Sequence, residues 1–464
     1  MSKEIFRILF IFTGASSRGE NNAFLTLASL ISPFKNKEFM ESLIHKSNLP
    51  KDILKKDIQI DAIYLMDYFS KSPQFIHSLK IDLKRKIAPD ILCVSAMSTN
   101  IEEALIVAHL SSYIYPKTIR VIGGSHASVR AQDFLKNGLY HVACLGEGTE
   151  TIVQIAAIIS SGLKDFRNLQ GIVFYDNDKI RLNKRSSFLF ELDDYPWFSL
   201  SLYDLIQKHL PEKTLDIITI LGGIGCPHNC YYCAQKSVHL GFMRKRSAES
   251  LIQEIEYWVD RGFKRFFILT ENFTSDKKIL YNFLDLIDNK RLKIEWMVQS
   301  DAICLNVNDI RHMANSGLKV IEFGIESGDP NVLTAINKNT DLKHALKLIH
   351  EAKRLGIFVD MFFLVGLPYQ DDKSIEMTKK FMEDAEVDDI EVCAAINIAV
   401  PYPGTTIQKE CMVQLLMNDD GHTNFPLRKP KDTYKWTYTR TNVATSTQIE
   451  NHFHQQKQMS TVVI

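Results

Sequence analysis

Three cysteines stand close together in the stretch GCPHNCYYC, and their spacing suits metal chemistry. Cys226, Cys230 and Cys233 form a CxxxCxxC pattern, while the other five of the eight cysteines are scattered. A structural zinc site needs four nitrogen or sulfur ligands, so His228 or His239 would have to supply the fourth. An iron–sulfur cluster held by three thiolates instead leaves one iron with an open position, as catalysis requires. The lack of a fourth clustered cysteine therefore favours a catalytic cluster over a zinc site.

The composition is that of an ordinary globular chain without charge bias. The 464 residues are 45% hydrophobic, and 55 Lys and Arg balance 55 Asp and Glu. This balance argues against a nucleic-acid partner or an anionic membrane surface. The apolar run FRILFIFTGA contains Arg7 and is too short to span a bilayer or serve as a secretory signal. Since sparse cysteines do not suggest a disulfide framework, we expect a cytoplasmic protein that binds neither nucleic acid nor membrane.

Residues 1–162 alternate short apolar strands with amphipathic helices. Segments such as FRILFIF, PDILCVSAM and TIRVIGG predict strands of a doubly wound, Rossmann-like α/β domain with helices on both faces of a parallel sheet. Ligands of such sheets bind beyond the carboxyl ends of the strands. The sequence places SAMST, GGSHAS and GEGTE there, and their glycines would let the backbone approach a ligand. Tight strand-to-helix turns explain the same glycines equally well.

The rest of the chain predicts a linker, a second α/β domain and a tail. Residues 163–212 are interpreted as a linker that contains a hairpin near residues 176–178. Residues 213–410 hold six strand–helix units, enough for a partial (β/α)6 TIM-type barrel but short of the full eight. The strand LDIITIL runs straight into the cysteine loop, which places the thiols at the carboxyl-end mouth where barrel active sites form. Residues 411–464 are polar and predicted to be partly disordered.

At this point the sequence resembles a known family. A CxxxCxxC loop after a first barrel strand, with Tyr232 just before its third cysteine, is similar to the radical S-adenosylmethionine (SAM) superfamily. The segments FFILTENFTSD, IEFGIESGDPNVLTAINK, FFLVGLP and PYPGT resemble the second, fourth, fifth and sixth strand segments of the subgroup with an N-terminal cobalamin-binding domain. GGSHAS and GEGTE are similar to that domain, and LQGIVF…LDDYP resembles its linker. The resemblance covers about residues 1–410.

The resemblance implies cofactors and the residues that bind them. It implies a 4Fe–4S cluster on the three cysteines, with SAM bound at the open iron and Tyr232 beside its adenine. Glu271 would accept a hydrogen bond from the SAM ammonium, while Glu326 and Ser327 would face the ribose or methionine end. A solvated loop carboxylate and a structural turn are the respective alternatives. The candidate cobalamin contacts in the first domain are Gly123, Gly124, His126, Gly146 and Glu147. The DxHxxG motif of some cobalamin proteins is absent, so a simple turn residue is the alternative for His126.

The implied function is that of a radical SAM enzyme. Its cluster would cleave SAM to a 5′-deoxyadenosyl radical, which removes hydrogen from an unactivated carbon, and flavodoxin or ferredoxin would donate the electron. The leading expectation is cobalamin-dependent methyl transfer to a small molecule or natural product, with the catalytic side chains unassigned. A radical cyclase, dehydratase or rearrangement enzyme with a vestigial cobalamin domain is the alternative among enzymes. A metal- or cobalamin-binding regulatory module is the alternative outside them.

Overall fold

The computed structural model describes residues 4–12, 19–65, 73–136, 138–176, 179–209, 216–387, 391–410, 416–417 and 423–424. The chain forms two compact units. The first consists mainly of Met1–Ile206 and the short piece Ser237–Gly241, and the second consists mainly of Gln207–Lys236 and Phe242–Met412. Most of the C-terminal segment, for which partial disorder is predicted, lies outside the described residues. Among those residues, no helix combines the length and apolar character needed to cross a membrane.

The first unit is built around one sheet of seven strands. The strands are β1 (Ile5–Phe12), β2 (Asp57–Tyr64), β3 (Ile91–Ser95), β4 (Ile119–Gly123), β5 (Val142–Cys144), β6 (Ile172–Asp176) and β7 (Lys179–Asn183). The helices are α1 (Gly19–Lys35), α2 (Lys37–Lys46), α3 (Pro73–Arg85), α4 (Ile101–Ile114), α5 (Ser125–Arg130), α6 (Gln132–Leu135), α7 (Thr149–Ser160) and α8 (Phe198–His209). The strand order is β2-β1-β3-β4-β5-β6-β7.

The parallel part of this sheet positions the candidate ligand turns. Strands β1 to β5 run parallel in the order 2-1-3-4-5, and doubly wound sheets of this order bind ligands where the order reverses, between β1 and β3. The β3 strand is almost wholly buried, as a strand covered on both faces must be. The predicted parallel α/β fold is therefore confirmed in this part of the chain.

Part of the segment interpreted as a linker folds onto the first unit. Strands β6 and β7 extend the sheet in antiparallel pairing, and the turn of this predicted hairpin, residues 177–178, lies outside the described residues. Glu150, at the start of α7 and only 2% exposed, accepts hydrogen bonds from the Leu189 amide at 3.0 Å and the Tyr195 hydroxyl at 2.7 Å. These bonds satisfy a buried carboxylate and hold the segment in place.

The second unit contains a sheet of six strands, all parallel. Its strands are β8 (Ile218–Leu221), β11 (Arg265–Leu269), β12 (Glu295–Ser300), β13 (Leu318–Glu326), β14 (Phe358–Val365) and β15 (Val392–Ile398), and a separate pair is formed by β9 (Gly223–Ile224) and β10 (Arg244–Lys245). The helices are α9 (Gln235–Val238), α10 (Ala248–Val259), α11 (Lys277–Lys290), α12 (Val307–Asn315), α13 (Pro330–Ala335), α14 (Leu342–Arg354), α15 (Asp372–Asp384) and α16 (Thr406–Glu410). The short strands β16 (Leu416–Met417) and β17 (Thr423–Asn424) pair with each other and belong to the first unit.

The strands of the six-stranded sheet follow the chain. Their order is β15-β14-β13-β12-β11-β8, with a helix between successive strands, and this is the arrangement that the six strand–helix units predict. Because all six strands are parallel, their carboxyl ends meet at one edge of the sheet. The cysteine loop after β8 and the turns after β11 and β13 therefore converge.

The half-buried His141 of the first unit should make the stability of the protein depend on pH. The Nδ1 of His141 accepts a hydrogen bond from the Arg120 amide at 3.0 Å. Burial, together with the charges of Arg120 and Lys164, lowers the pKa of His141 from 6.5 to about 4. Its neutral form therefore contributes stability above pH 6.5 that is lost as the pH falls from 6.5 towards 4.

We expect His141→Asn, which keeps an acceptor but cannot titrate, to flatten the dependence of the unfolding free energy on pH in this window. Urea unfolding monitored by circular dichroism at several pH values measures this pH dependence. His109→Asn, at an exposed position of α4, is the matched control and should retain the wild-type slope. An unchanged slope in His141→Asn would contradict the assignment.

Candidate functional site

The cysteine loop begins at a turn that only glycine fits well. Gly225 has a φ of +86°, and a Cβ atom there would lie 2.3 Å from the carbonyl oxygen of Phe242. The strands β9 and β10 pair on the two sides of this point, with Ile224 opposite Arg244. The loop is thereby tied at its base, directly after β8, at the carboxyl edge of the sheet.

The three thiols have the surroundings expected of cluster ligands. Cys226, Cys230 and Cys233 are free and half-buried. Burial raises the pKa of each thiol, that of Cys230 to about 11. Backbone N–H groups of His228 and Gln235 donate to the sulfurs of Cys226 and Cys233. Hydrogen bonds to sulfur are one of the means by which proteins tune iron–sulfur clusters, so this set of donors fits such a cluster.

Neighbouring segments hold the backbone of the loop. The Tyr231 amide donates to the Ile336 carbonyl at 2.9 Å, and the Tyr231 carbonyl accepts from the Ile407 amide at 3.1 Å. Tyr231 and Tyr232 also pack against a buried apolar cluster that comprises Val332, Leu333, Ile336 and Leu367. The position of the cysteines thus depends on residues far along the chain.

Tyr232 and Glu326, both predicted to contact SAM, form a hydrogen-bonded pair. The Tyr232 hydroxyl donates to Oε1 of Glu326 at 2.6 Å. Glu326 is 7% exposed and has a φ of +69°, at the irregularity where β13 loses register with β14. Burial raises the pKa of Glu326 despite the nearby charge of Lys338. Burial and then the charge of Glu326 raise the pKa of Tyr232 far above its usual range, so the phenol stays protonated.

A second cluster of polar side chains surrounds Asn272, the residue that directly follows the predicted SAM contact Glu271. Asn272 is 3% exposed, and its Nδ2 lies 3.3 Å from Nε2 of His228 and 3.6 Å from the sulfur of Cys304. The carboxylate of Asp301 lies 3.9 Å from the same histidine nitrogen. Glu271 is half-buried and close enough to Cys226 for its charge to raise the pKa of that thiol.

Ser327 has different surroundings from its neighbour Glu326. It is completely buried, and its Oγ accepts a hydrogen bond from the Asp329 amide at 3.1 Å. Its Oγ also lies 3.5 Å from Oγ1 of Thr378. The geometry therefore brings Tyr232, Glu271 and Glu326 to the cysteine loop, whereas Ser327 lies within the protein. Contacts of these four residues with SAM remain predictions.

In the first unit, Gly123 and Gly124 leave the carboxyl end of β4 free of side chains. Gly124 has a φ of +98°, and a Cβ atom there would lie 2.4 Å from the Ala96 carbonyl oxygen. Met97, after the neighbouring strand β3, is 36% exposed. A bare backbone edge beside an exposed apolar side chain fits a large ligand such as cobalamin.

The other predicted cobalamin residues have protein partners. His126 is completely buried, with Nδ1 2.9 Å from the Ser98 hydroxyl and Nε2 3.3 Å from Asp133. Gly146 has a φ of +66°, and a Cβ atom there would lie 3.5 Å from Cδ1 of Leu240. Glu147 is half-buried, and its carbonyl lies 3.5 Å from the Arg185 guanidinium. Cobalamin contacts at these positions remain predictions.

Sequence reasoning missed the polar residues that link the segments of the second unit. Lys338 is 9% exposed and Asp301 is 6% exposed, and Nζ of Lys338 lies 3.0 Å from Oδ2 of Asp301. Asp301 follows β12 directly, and a carboxylate at the carboxyl end of a barrel strand is a signal that could have identified it. Lys338 comes after a short helix, so no strand pattern points to it. Among the described residues, no group of three or more His, Cys, Asp or Glu is arranged around one metal ion.

Comparison with known proteins matches both halves of the chain. The model of the radical SAM superfamily matches residues 220–382, and that of the B12 binding domain matches residues 49–156. The uncharacterized methyltransferase PH0819 of Pyrococcus horikoshii is 25% identical over 336 residues, which cover 72% of each chain. The anaerobic magnesium-protoporphyrin IX monomethyl ester cyclase of Cereibacter sphaeroides is 26% identical over 387 residues, 80% of this chain and 60% of the cyclase.

A solved structure shares the fold across both units. It is the radical SAM methyltransferase TsrM from Kitasatospora setae, with tryptophan substrate and a SAM analog bound. The TM-score is 0.64 at 12% sequence identity, and the alignment covers 87% of this chain and 76% of TsrM. At this identity the likeness concerns the fold alone. The family matches include the cysteine loop and most of the first sheet, and they confirm the predicted resemblance. The chain therefore contains a radical SAM domain over residues 220–382 and, ahead of it, a B12 binding domain over residues 49–156.

Proposed function

We propose that this protein is a cobalamin-dependent radical SAM methyltransferase that acts on an unactivated carbon of a small molecule. The observation that carries the proposal is the combination of a three-cysteine loop at the carboxyl edge of a six-stranded parallel sheet with a B12 binding domain in the same chain. The names of PH0819 and TsrM, both methyltransferases, agree with it. A 4Fe–4S cluster, SAM and cobalamin are the cofactors that these two domains imply.

Each half of the chain holds one part of the machinery in this proposal. Cys226, Cys230 and Cys233 would hold the cluster, and the strand-end turns at Gly124 and Gly146 would hold cobalamin. When bound, the cluster supplies the electron that cleaves SAM to methionine and a 5′-deoxyadenosyl radical, and cobalamin serves as the carrier of the methyl group. The boundaries that we propose are 1–162 for the cobalamin domain, 163–212 for a linker, 213–410 for the radical SAM core and 411–464 for the C-terminal segment.

The protein residues around the cysteine loop would bind and orient SAM. The protonated Tyr232 phenol holds Glu326 in place through a bond of 2.6 Å, in a backbone conformation that side chains rarely adopt. This leaves the carboxylate fixed at the end of β13, where we assign it to the ribose or methionine end of SAM. Glu271, near Cys226, is assigned to the SAM ammonium. Prearranged groups of this kind bind a reactant without reorganising as it reacts.

Radical cyclisation is the second candidate, because a specific comparison favours it. The cyclase of Cereibacter sphaeroides matches 80% of this chain, although this chain spans only 60% of the cyclase. The part of the cyclase outside this match is not aligned with the present chain. Methyl transfer and cyclisation share the radical-forming step and differ in the fate of the methyl group, which provides the test.

Methyl-labelled SAM distinguishes the two reactions. We expect substrate turnover by the reconstituted enzyme to form 5′-deoxyadenosine and S-adenosylhomocysteine in similar amounts and to place the label in the product. The reason is that methyl transfer uses one SAM molecule as radical source and a second as methyl donor. Anaerobic incubation with candidate substrates, followed by liquid chromatography and mass spectrometry, measures all three species.

Enzyme loaded with cluster but without cobalamin is the control and should give no labelled product. Substrate-dependent 5′-deoxyadenosine without S-adenosylhomocysteine, from cobalamin-loaded enzyme, would overturn methyl transfer in favour of cyclisation, elimination or rearrangement. Absence of both cleavage products from cluster-loaded enzyme with every candidate would count against an enzyme and for a regulatory module.

The proposal includes partners and a compartment. The electron donor would be a small reducing protein of the flavodoxin or ferredoxin type, and no nucleic acid or membrane takes part. All the cysteines that the structure describes are free thiols, which suits a reducing cytoplasm.

A further inference from the structure

A short segment that follows the cysteine loop belongs to the first compact unit. Ser237–Gly241 forms this strap, and the chain directly before and after it belongs to the second unit. The strap begins four residues after Cys233. It ends next to Phe242, whose carbonyl oxygen would lie 2.3 Å from a Cβ atom on Gly225, the residue before Cys226. Both ends of the strap therefore lead directly to the cysteine loop.

Leu240 anchors the strap in the first unit. Its side chain packs against the buried apolar core of that unit, whose members include Ile122 and Leu145. The backbone of Leu240 has a φ of +57°, a left-handed conformation that side chains rarely adopt. Such a conformation persists only where the surrounding structure imposes it. The packing of Leu240 therefore fixes the strap in one position.

The turn at Gly146 is built against the strap. Gly146 has a φ of +66°, and the three atoms nearest to the position of its missing Cβ all belong to the strap. They are the carbonyl oxygen of Val238 at 3.4 Å, Cδ1 of Leu240 at 3.5 Å and Cγ of Leu240 at 3.6 Å. The bare backbone at Gly146 thus lets the strap lie directly on a turn that we assign to cobalamin.

Ser128 joins this turn to the other strand-end turn assigned to cobalamin. The Gly146 amide donates to Oγ of Ser128 at 2.9 Å, and the Ser128 hydroxyl donates to the Gly124 carbonyl at 2.9 Å. Ser128 is 8% exposed, so water competes little for these bonds. A continuous set of contacts therefore runs from Gly124 through Ser128 and Gly146 to Leu240, as energetic coupling between sites requires.

We propose that the strap couples the cobalamin site to the cysteine loop and that Leu240 is the positioning residue of this coupling. The strap is held in its seated position when bound cobalamin orders the turns at Gly124 and Gly146, and the seated strap restrains both ends of the cysteine loop. Because a coupling free energy is reciprocal, a loaded cluster tightens cobalamin binding by the same factor. The inference rests on the proposed function, because it presupposes both cofactors.

The test compares the cobalamin affinity of the full-length protein with and without its cluster. Anaerobic equilibrium dialysis against hydroxocobalamin, with cobalt analysis, is applied to reconstituted protein and to protein from which a chelator has removed the iron. We expect the dissociation constant of the wild-type protein to be at least about fivefold lower with the cluster than without it. The ratio of the two dissociation constants measures the coupling.

Leu240→Gly removes the anchor and also relieves the backbone strain, since glycine adopts a φ of +57° readily. The ratio should fall to about one, because the strap is no longer held against Gly146. Leu240→Met keeps a large apolar side chain and should restore most of the ratio. Arg291→Gly makes the same backbone change at a φ of +53°, at the end of α11, and should keep the wild-type ratio.

A lengthened strap keeps the test decisive if Leu240→Gly fails to fold or to bind cobalamin. Two glycines inserted after Gly241 leave Leu240 in place but slacken its connection to the cysteine loop. No described atom lies within 4 Å of the position of a Cβ on Gly241, so there is room for the insertion. The ratio should fall to about one while the cobalamin affinity of the iron-free protein stays at the wild-type value. The same insertion after Gly262, which has equal space among the described atoms, should change neither quantity.

The ratio separates coupling from a merely structural effect. A variant that only loosens the first unit weakens cobalamin binding equally with and without the cluster, and so leaves the ratio unchanged. A wild-type ratio in Leu240→Gly or in the lengthened strap, or a ratio of one in the wild-type protein, would overturn the inference and leave the proposed function intact. Failure of the wild-type protein to bind iron or cobalamin would instead overturn the proposed function.

Discussion

Cys230→Ser should remove the iron–sulfur cluster, and iron content should fall from about four per chain to background. Cys230 lies in the middle of the loop, and its thiol interacts with both Cys226 and Cys233. The two thiolates left after substitution cannot hold a cubane. Anaerobic reconstitution followed by iron and sulfide analysis and visible absorption measures the loss, and 5′-deoxyadenosine formation should disappear with it.

Cys304→Ser is the matched control for this experiment. Cys304 is another half-buried free cysteine of the same unit, with its sulfur 3.6 Å from Nδ2 of Asn272, but it lies outside the loop. It should keep the wild-type iron content. Full iron in Cys230→Ser would contradict the assignment, and one zinc per chain in wild-type protein prepared without oxygen would favour the structural zinc site.

Gly124→Ala should destabilise the first unit and weaken cobalamin binding at least tenfold. The added Cβ atom would lie 2.4 Å from the Ala96 carbonyl oxygen, and alanine would have to adopt a φ of +98°. Strain of this kind costs about 1–3 kcal/mol, and relief of the clash would displace the strand-end turn. Absorption titration with hydroxocobalamin measures binding, and thermal unfolding measures the loss of stability.

Gly123→Ala makes the same substitution at the preceding residue. Its Cβ atom would lie 3.9 Å from that of Cys144, an ordinary contact, so stability should stay close to wild type. Equal losses of stability in the two variants would show that the turn at Gly124 is not special. If the wild-type protein takes up no cobalamin while its cluster loads, the methyltransferase proposal gives way to cyclisation, elimination or rearrangement.

The elements of the fold were largely predictable because they rest on local patterns. The stretch RSAESLIQEIEYWVDRG predicts a helix that Ser247 caps and whose Leu251, Ile255 and Trp258 line one face. In α10 the Ser247 side chain accepts from the Ser250 amide, and the three apolar residues are buried. The cysteine loop was equally predictable from the sequence, since the three cysteines expected to bind the cluster lie within eight consecutive residues.

The supporting residues were not predictable, because they depend on contacts between distant segments. Lys338 Nζ lies 3.0 Å from Asp301 and 3.8 Å from Glu326, two residues at the ends of different strands. The surroundings of His126 were equally unpredictable. Its ring is completely buried, with Nδ1 2.9 Å from the Ser98 hydroxyl and Nε2 3.3 Å from Asp133. Burial on this scale is a property of the packed sheet and helices rather than of the local sequence.

The chain-ordered sheet of the second unit has a consequence for biosynthesis. Each strand pairs with the one made before it, so its neighbour has already been synthesised when the strand leaves the ribosome. The cysteine loop follows its first strand, whereas the turn at Ile336–Lys338 that fastens the loop is made only after β11, β12 and β13. The pairing of β9 with β10 at the base of the loop can therefore form early, whereas the hydrogen bonds from Tyr231 to Ile336 and from Asn337 to Asn229 can form only after β13 has been made.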